Sequence, residues 1–157
     1  MTNLLMVCMG NVCRSPMAQA VTLQMIQQAG LARQIQVGSA GTHAARGKEP
    51  PDQRAKTVLS ARGYPIGKTR SRQVIEQDFK RYDLILAMDQ ANLNDLRRLC
   101  PNEYAHKLRL FLEFAGDLTI RDVPDPYYGS VQGFEHVLDL CEAGARALIA
   151  YLQNTPR

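Results

Sequence analysis

The chain has 157 residues, 45% of them hydrophobic and 22% charged, and a net charge of +4; that is the length of a single domain with enough apolar side chains for a sizeable core. No stretch approaches the ~20 apolar residues of a membrane span. The basic residues neither cluster nor interleave with aromatics as on a nucleic-acid surface, and the apolar start, Leu4 to Val7, is too short for a signal peptide. These features read as a cytoplasmic protein whose four cysteines stay as thiols.

The charge is unevenly placed. No Asp or Glu precedes Glu49, so Arg14, Arg33, Arg46 and Lys48 give the first 48 residues the whole net charge. An acid-free segment keeps the local potential favourable to an anion, with compositional chance as the alternative.

In chain order, residues 3–8 read as a first strand. Residues 16–29 follow as a helix, with Met17, Val21 and Met25 at i+4 spacing and Gly30 as its stop. Ile35 and Val37 alternate in a second strand ending near Ser39, and glycines and prolines mark a loop over 40–51. Asp52 caps a second helix carrying Ala55, Val58 and Leu59 and stopped by Gly63. Leu84 to Met88 is a continuous apolar run fit for a strand buried on both faces. Leu93, Leu96 and Leu99 place a helix after Asp89, and Leu108, Leu110 and Leu112 alternate as a fourth strand. From Val131 to Leu152 an apolar stripe that includes Phe134, Cys141 and Leu148 traces a long amphipathic helix. Strands alternating with helices predict an α/β fold with a parallel, doubly wound sheet. Its ligand crevice belongs at the carboxyl ends of the strands.

At that end of the first strand stands Cys8-Met9-Gly10-Asn11-Val12-Cys13-Arg14-Ser15-Pro16. Ser15 then Pro16 reads as an N-cap and first helical position, so the segment is strand, tight loop, helix. Backbone N–H groups over Met9 to Ser15 and the positive helix end then converge on one spot, an anion site. Gly10 permits positive φ and Asn11 tolerates it, which lets the loop curl into a cradle. Arg14 adds a planar fork for two oxygens of a phosphate-like group. Cys8 lies at the floor, as a thiolate aimed at phosphorus. A P-loop of nucleotide-binding type would need a second glycine and a lysine. Cys8 and Cys13 make a poor metal half-site, because no second pair follows and His43, His106 and His136 stand far apart; no metal and no cofactor is expected.

A phosphoryl nucleophile needs a proton donor for the leaving oxygen. Asp125 is the candidate: Pro124 and Pro126 stiffen the backbone around it, although Asp-Pro is also a common turn starter. Asp122 lacks flanking prolines, and Asp89 reads as the cap of the next helix. Tyr127 and Tyr128 wall an aromatic-sized slot or pack as ordinary loop residues.

The cysteine loop and Asp125-Pro126-Tyr127-Tyr128 closely resemble the two signature motifs of the low-molecular-weight protein tyrosine phosphatases, bacterial type. Ser39-Ala40-Gly41-Thr42, Ser71-Arg72-Gln73 and Leu86-Ala87-Met88-Asp89 look like that family's intermediate landmarks, so the resemblance spans residues 1–157 as one domain. It implies a four-stranded parallel sheet, a cysteinyl-phosphate intermediate and no metal. By position, Cys8 is then the nucleophile, Arg14 the phosphate clamp and Asp125 the general acid and base. Asn11 and Ser39 hold the loop's shape, Ser15 hydrogen-bonds the Cys8 sulfur, and Cys13 is the redox partner of Cys8. The implied partners are tyrosine-phosphorylated proteins, a tyrosine kinase among them, with inorganic phosphate as product. Two departures stand out. Thr69 occupies the place of a loop-supporting histidine, and Ala45 stands where bacterial members often carry a cleft aromatic.

Two related chemistries compete. A thiol-dependent arsenate reductase would relay a disulfide through further cysteines, but Cys100 and Cys141 are 41 residues apart and Cys141 lies on an apolar stripe. A phosphoarginine phosphatase would tend to carry threonine at Val12, whose aliphatic side chain suits an aromatic ring.

Overall fold

The computed structural model describes residues 1–155; Pro156 and Arg157, the end of the expected domain, lie outside the described residues. Four parallel strands form one sheet in the order β2-β1-β3-β4. They are β1 (Thr2–Cys8), β2 (Ile35–Gly41), β3 (Leu84–Ala87) and β4 (Leu108–Leu110). The helices are α1 (Arg14–Gln28), α2 (Gln53–Ala61), α3 (Glu76–Arg81), α4 (Gln90–Leu99) and α5 (Val131–Asn154), with two 3₁₀ turns at Asn102–Lys107 and Phe111–Phe114. No helix among the described residues is long and apolar enough to cross a membrane.

β1 is central, which is why Leu4 to Val7 reads as an unbroken apolar run rather than an alternating one. Leu4, Met6 and Cys8 face a core shared with α1, α2 and α5. Leu5 and Val7 face a second core with Phe79 of α3 and Leu93 and Leu96 of α4. The chain winds one way from β1 to β2 and the other way to β3 and β4. The crevice of such a sheet lies between the loops that follow β1 and β3; Cys8 ends β1 at its mouth, and Asp89 lies in the loop after β3.

The expected helices after Asp52 and Asp89 are capped as read: Asp52 Oδ1 accepts from Arg54 N, and Asp89 Oδ1 from Asn92 N, both at 2.8 Å. Three readings change and one helix is new. α1 starts at Arg14 with Cys13 as its cap residue and no side-chain cap, so Ser15 is inside the helix and its hydroxyl is free for another use. β2 runs on to Gly41, past the expected end at Ser39, because it pairs with β1 through Cys8. β4 stops at Leu110: Leu112 belongs to the second 3₁₀ turn, which turns both Phe111 and Leu112 into the core against α5. α3 is only six residues long, too short to register as a helical period.

Candidate active site

Cys8 sits 2% exposed at the carboxyl end of β1, its Sγ accepting from Asn11 N at 3.2 Å and sharing a hydrogen bond with Ser15 Oγ at 3.1 Å. Asn11 takes the left-handed conformation, φ 57°, that wraps the loop back over the sulfur. Of the two residues read as able to take positive φ, Gly10 does not; the bend falls on Asn11, whose side chain stabilises it locally. Asn11 Nδ2 donates to Ser15 Oγ at 2.8 Å, and Asn11 Oδ1 accepts from Arg72 N at 3.0 Å. Among the described residues, the amides of Gly10, Val12, Cys13, Arg14 and Ser15 have no protein acceptor, which leaves these loop donors open to an anion.

Arg14 is 3% exposed and held from behind. Its Nη1 donates to Asp89 Oδ2 at 2.5 Å and to the Val123 carbonyl at 3.0 Å, which leaves Nε and Nη2 as the forward pair. Burial works against the guanidinium's charge, but the Asp89 hydrogen bond and the nearby Cys8, Asp89 and Asp125 outweigh it, so its pKa stands above the ordinary value. Asp89 therefore has two roles, capping α4 and aiming Arg14, and the capping reading found only the first.

Asp125 Oδ2 lies 3.7 Å from Arg14 Nη2, on a half-exposed side chain. Its other oxygen accepts from Tyr127 N at 3.1 Å. Cys8, Arg14, Asp125, Tyr127 and Tyr128 line one cleft of about 620 Å³, with Met9, Val12 and the 42–47 segment on its walls. Tyr127 is half-exposed and Tyr128 almost wholly so, their rings edge to face with centroids 5.0 Å apart. Ala45 lines the cleft without adding a ring.

Cys13 is buried beside this site, and burial first, then Asp52, Cys8 and Asp125, push its thiol up from 9.0 to about 12. Ser39 does not bond the cysteine loop directly. Its hydroxyl donates to Gln19 Oε1 at 2.8 Å, and Gln19 Nε2 donates to the Val37 carbonyl at 3.2 Å. Thr69, where the resemblance leads one to expect a histidine, lines a groove beside Gln19 of α1.

Loop support comes instead from a segment that only the resemblance marked. Arg72 forms a bidentate ion pair with Asp78 at 2.9 Å while its backbone N–H holds Asn11. Gln73 pins the 42–44 segment from both sides, accepting from Ala44 N and donating to the Thr42 carbonyl, each at 2.7 Å. Thr42 N and His43 N then donate to the Cys8 and Met9 carbonyls. Gly41 permits this approach: a Cβ there would stand 2.6 Å from the Met9 carbonyl oxygen and 3.1 Å from Asn11 N.

Residues 3–157 match the low molecular weight phosphotyrosine protein phosphatase family. The low molecular weight protein-tyrosine-phosphatase of Streptomyces coelicolor is 43% identical over 154 residues, covering 94% of this chain and 92% of that one. A protein tyrosine phosphatase from Entamoeba histolytica, crystallised with Hepes in its active site, superposes with a TM-score of 0.94 at 38% identity and covers 98% of this chain and 97% of its own. The YwlE arginine phosphatase, in a form with a phosphorylated active-site serine, superposes at 0.89 with 26% identity over 99% of both chains. A cysteine loop of this kind on this sheet, in a chain matched nearly end to end by such relatives, belongs to the low-molecular-weight phosphotyrosine protein phosphatase family of enzymes.

Proposed function

We propose that the enzyme hydrolyses phosphotyrosine in proteins, and aryl phosphates generally, in two steps through a cysteinyl-phosphate on Cys8. The observation that carries this reading is the Cys8 sulfur itself, bonded with Asn11 N and Ser15 Oγ in a loop whose Gly10, Val12, Cys13, Arg14 and Ser15 amides have no protein acceptor. These contacts hold the sulfur in place at the floor of the loop, where a phosphoryl group would meet it. A phosphate seated there meets the loop amides and the Nε and Nη2 edge of Arg14, which match the three equatorial oxygens of an in-line transfer. The dianion also competes with Asp125 for Arg14, which frees Asp125 to carry a proton to the departing phenolate. Asp125 then takes a proton from the water that releases phosphate from sulfur, and Ser15 Oγ steadies the returning Cys8 thiolate.

Val12, Tyr127 and Tyr128 along the cleft suit a planar ring. Substrates in this reading are tyrosine-phosphorylated proteins, a tyrosine kinase among them. Cys13 serves as the resolving thiol: peroxide converts the Cys8 thiolate to a sulfenic acid, and Cys13 displaces water from it to give a disulfide.

The test is turnover of a phosphotyrosine peptide and a phosphoarginine peptide by wild type and by Cys8→Ser. The expected outcome is preference for phosphotyrosine and no turnover in the variant, with inorganic phosphate still binding because the amides and Arg14 remain. Retained activity would remove Cys8 as nucleophile, and preference for phosphoarginine would move the substrate assignment.

A further inference from the structure

Asp125, its carboxylate 3.7 Å from Arg14 Nη2, sits on a segment that Pro126 anchors by burial but whose backbone has few outside hydrogen-bond partners. Val123 is fixed upstream, its N–H on the Met88 carbonyl and its own carbonyl under Arg14. Downstream, α5 begins at Val131. Between them, the bonds from Tyr127 N to Asp125 and from Gly129 N to Pro126 stay within the loop. They shape it without locating it.

One side chain from elsewhere reaches its backbone among the described residues. Arg54 Nη2 donates to the Tyr127 carbonyl at 2.8 Å, and Nη1 to the Gly129 carbonyl at 3.0 Å. The same guanidinium is locked in place by Asp52, from Nε to Oδ1 and from Nη2 to Oδ2, both at 3.0 Å. It also lies over the Phe134 ring, 4.6 Å from its centroid. Asp52 in turn donates its N–H to the Val12 carbonyl of the cysteine loop at 2.8 Å. A connected path thus runs from the cysteine loop through Asp52 and Arg54 to both carbonyls that flank Tyr128. Arg54 itself is not among the residues lining the cleft.

We propose that Arg54 is a positioning residue for the reaction, holding the Asp125 loop in register over the cysteine loop so that the carboxyl group meets the leaving oxygen. The proposal rests on the reading of Asp125 as the acid. A planar guanidinium can hold two carbonyls and a carboxylate at once; an ammonium reaches fewer of them and fixes no plane. Placement errors of about 1 Å at such a group cost up to about 100-fold in rate. The loss must fall on substrates that need the proton, since phosphate capture belongs to the loop amides and Arg14.

The experiment measures kcat/KM, which reports the step that expels the leaving group, for Arg54→Lys, Arg54→Gln, Asp125→Asn and Arg54→Lys with Asp125→Asn. Two substrates are compared: phosphotyrosine, and an aryl phosphate of a strongly acidic phenol. Both Arg54 variants should lose roughly 10-fold on phosphotyrosine and less than about 2-fold on the activated ester. Inhibition by inorganic phosphate should stay within about 2-fold of wild type, showing an intact cysteine loop. The double variant should be no slower on phosphotyrosine than Asp125→Asn alone, because the two substitutions disable one function.

Equal losses on both substrates, multiplicative losses in the double variant, or failure of both Arg54 variants to fold would overturn the proposal and make Arg54 a purely structural staple. If Asp125→Asn itself showed no dependence on leaving group, the acid assignment would fall and this proposal with it. The two failures are told apart by the Asp125→Asn measurement alone.

Discussion

A carboxyl group aids a leaving oxygen only where that oxygen would otherwise depart as a strongly basic anion. Asp125→Asn keeps the side chain's size and removes its proton, so it should slow phosphotyrosine hydrolysis by roughly 10²–10⁴-fold and affect activated esters far less. Arg14→Lys should also be severe, since Asp89 and the Val123 carbonyl fix the plane of a fork that an ammonium cannot reproduce; near-normal kcat/KM in that variant would place Arg14 outside the chemistry. Cys13→Ser should leave turnover close to wild type while making inactivation by peroxide harder to reverse with thiol, and mass spectrometry showing Cys8 paired with Cys100 would contradict that role. The residues of this site were legible to different degrees. Cys8 and Arg14 stand within one strand–loop–helix segment, so local chemistry identifies them. Gln19 was not legible and Arg72 was marked only by the resemblance, because their partners Ser39 and Asn11 lie 20 and 61 positions away and nothing local announces the contact. The bend at Asn11 was half-read: two residues tolerate positive φ there, and only the bonds to Ser15 and Arg72 decide between them.

Among the elements, α5 was the most visible, its stripe being long and strictly helical, and its packing against the Phe111–Phe114 turn offers a direct test. A Cβ at Gly144 would stand 2.6 Å from Phe111 Cε2 and 3.1 Å from Leu112 Cδ2, with both side chains fully buried. Alanine is the better helix former by about 1 kcal/mol, but overpacking a filled core costs about 1–3 kcal/mol. The clash should dominate, so Gly144→Ala should lower the melting temperature by a few degrees, at about 2–4 °C per kcal/mol for a chain this size. A raised melting temperature would show that the Phe111 ring moves aside freely. Short elements were the ones the sequence hid. α3 spans under two turns, and β4 is three residues long before the chain tightens into a 3₁₀ turn. In both places tertiary contacts, the Arg72–Asp78 ion pair and the burial of Phe111, decide the conformation.

At the scale of the whole molecule, several acids keep their protons in the folded state to higher pH than an unfolded chain would. Cys13 and Tyr64 are each pushed up to about 12, from 9.0 and 10.0, and burial leads in both cases; Cys141 is also raised by burial. Between about pH 9 and about pH 12 the unfolded chain therefore binds fewer protons than the folded one, so stability is complete below that window and falls as pH rises through it. Urea unfolding at about pH 8 and about pH 10.5 should show this loss, with a shallower fall in Cys13→Ser. Stability that held or rose over the interval would contradict the sign. The doubly wound sheet itself was predictable from the alternation of strands and helices, and with it the crevice at the carboxyl ends. The meeting of β1 and β3 there was not, because Asp89 looked complete as a helix cap. The account as a whole turns on a phosphoryl group passing through the Cys8 sulfur. It is tested most directly by mixing enzyme with an activated aryl phosphate, quenching with denaturant within the first turnovers, and mapping the covalent phosphate by mass spectrometry. A phosphoryl group on the peptide carrying Cys8, released over time as inorganic phosphate, is the predicted result; its appearance on another residue, or steady turnover with no phosphoenzyme formed, would contradict the mechanism.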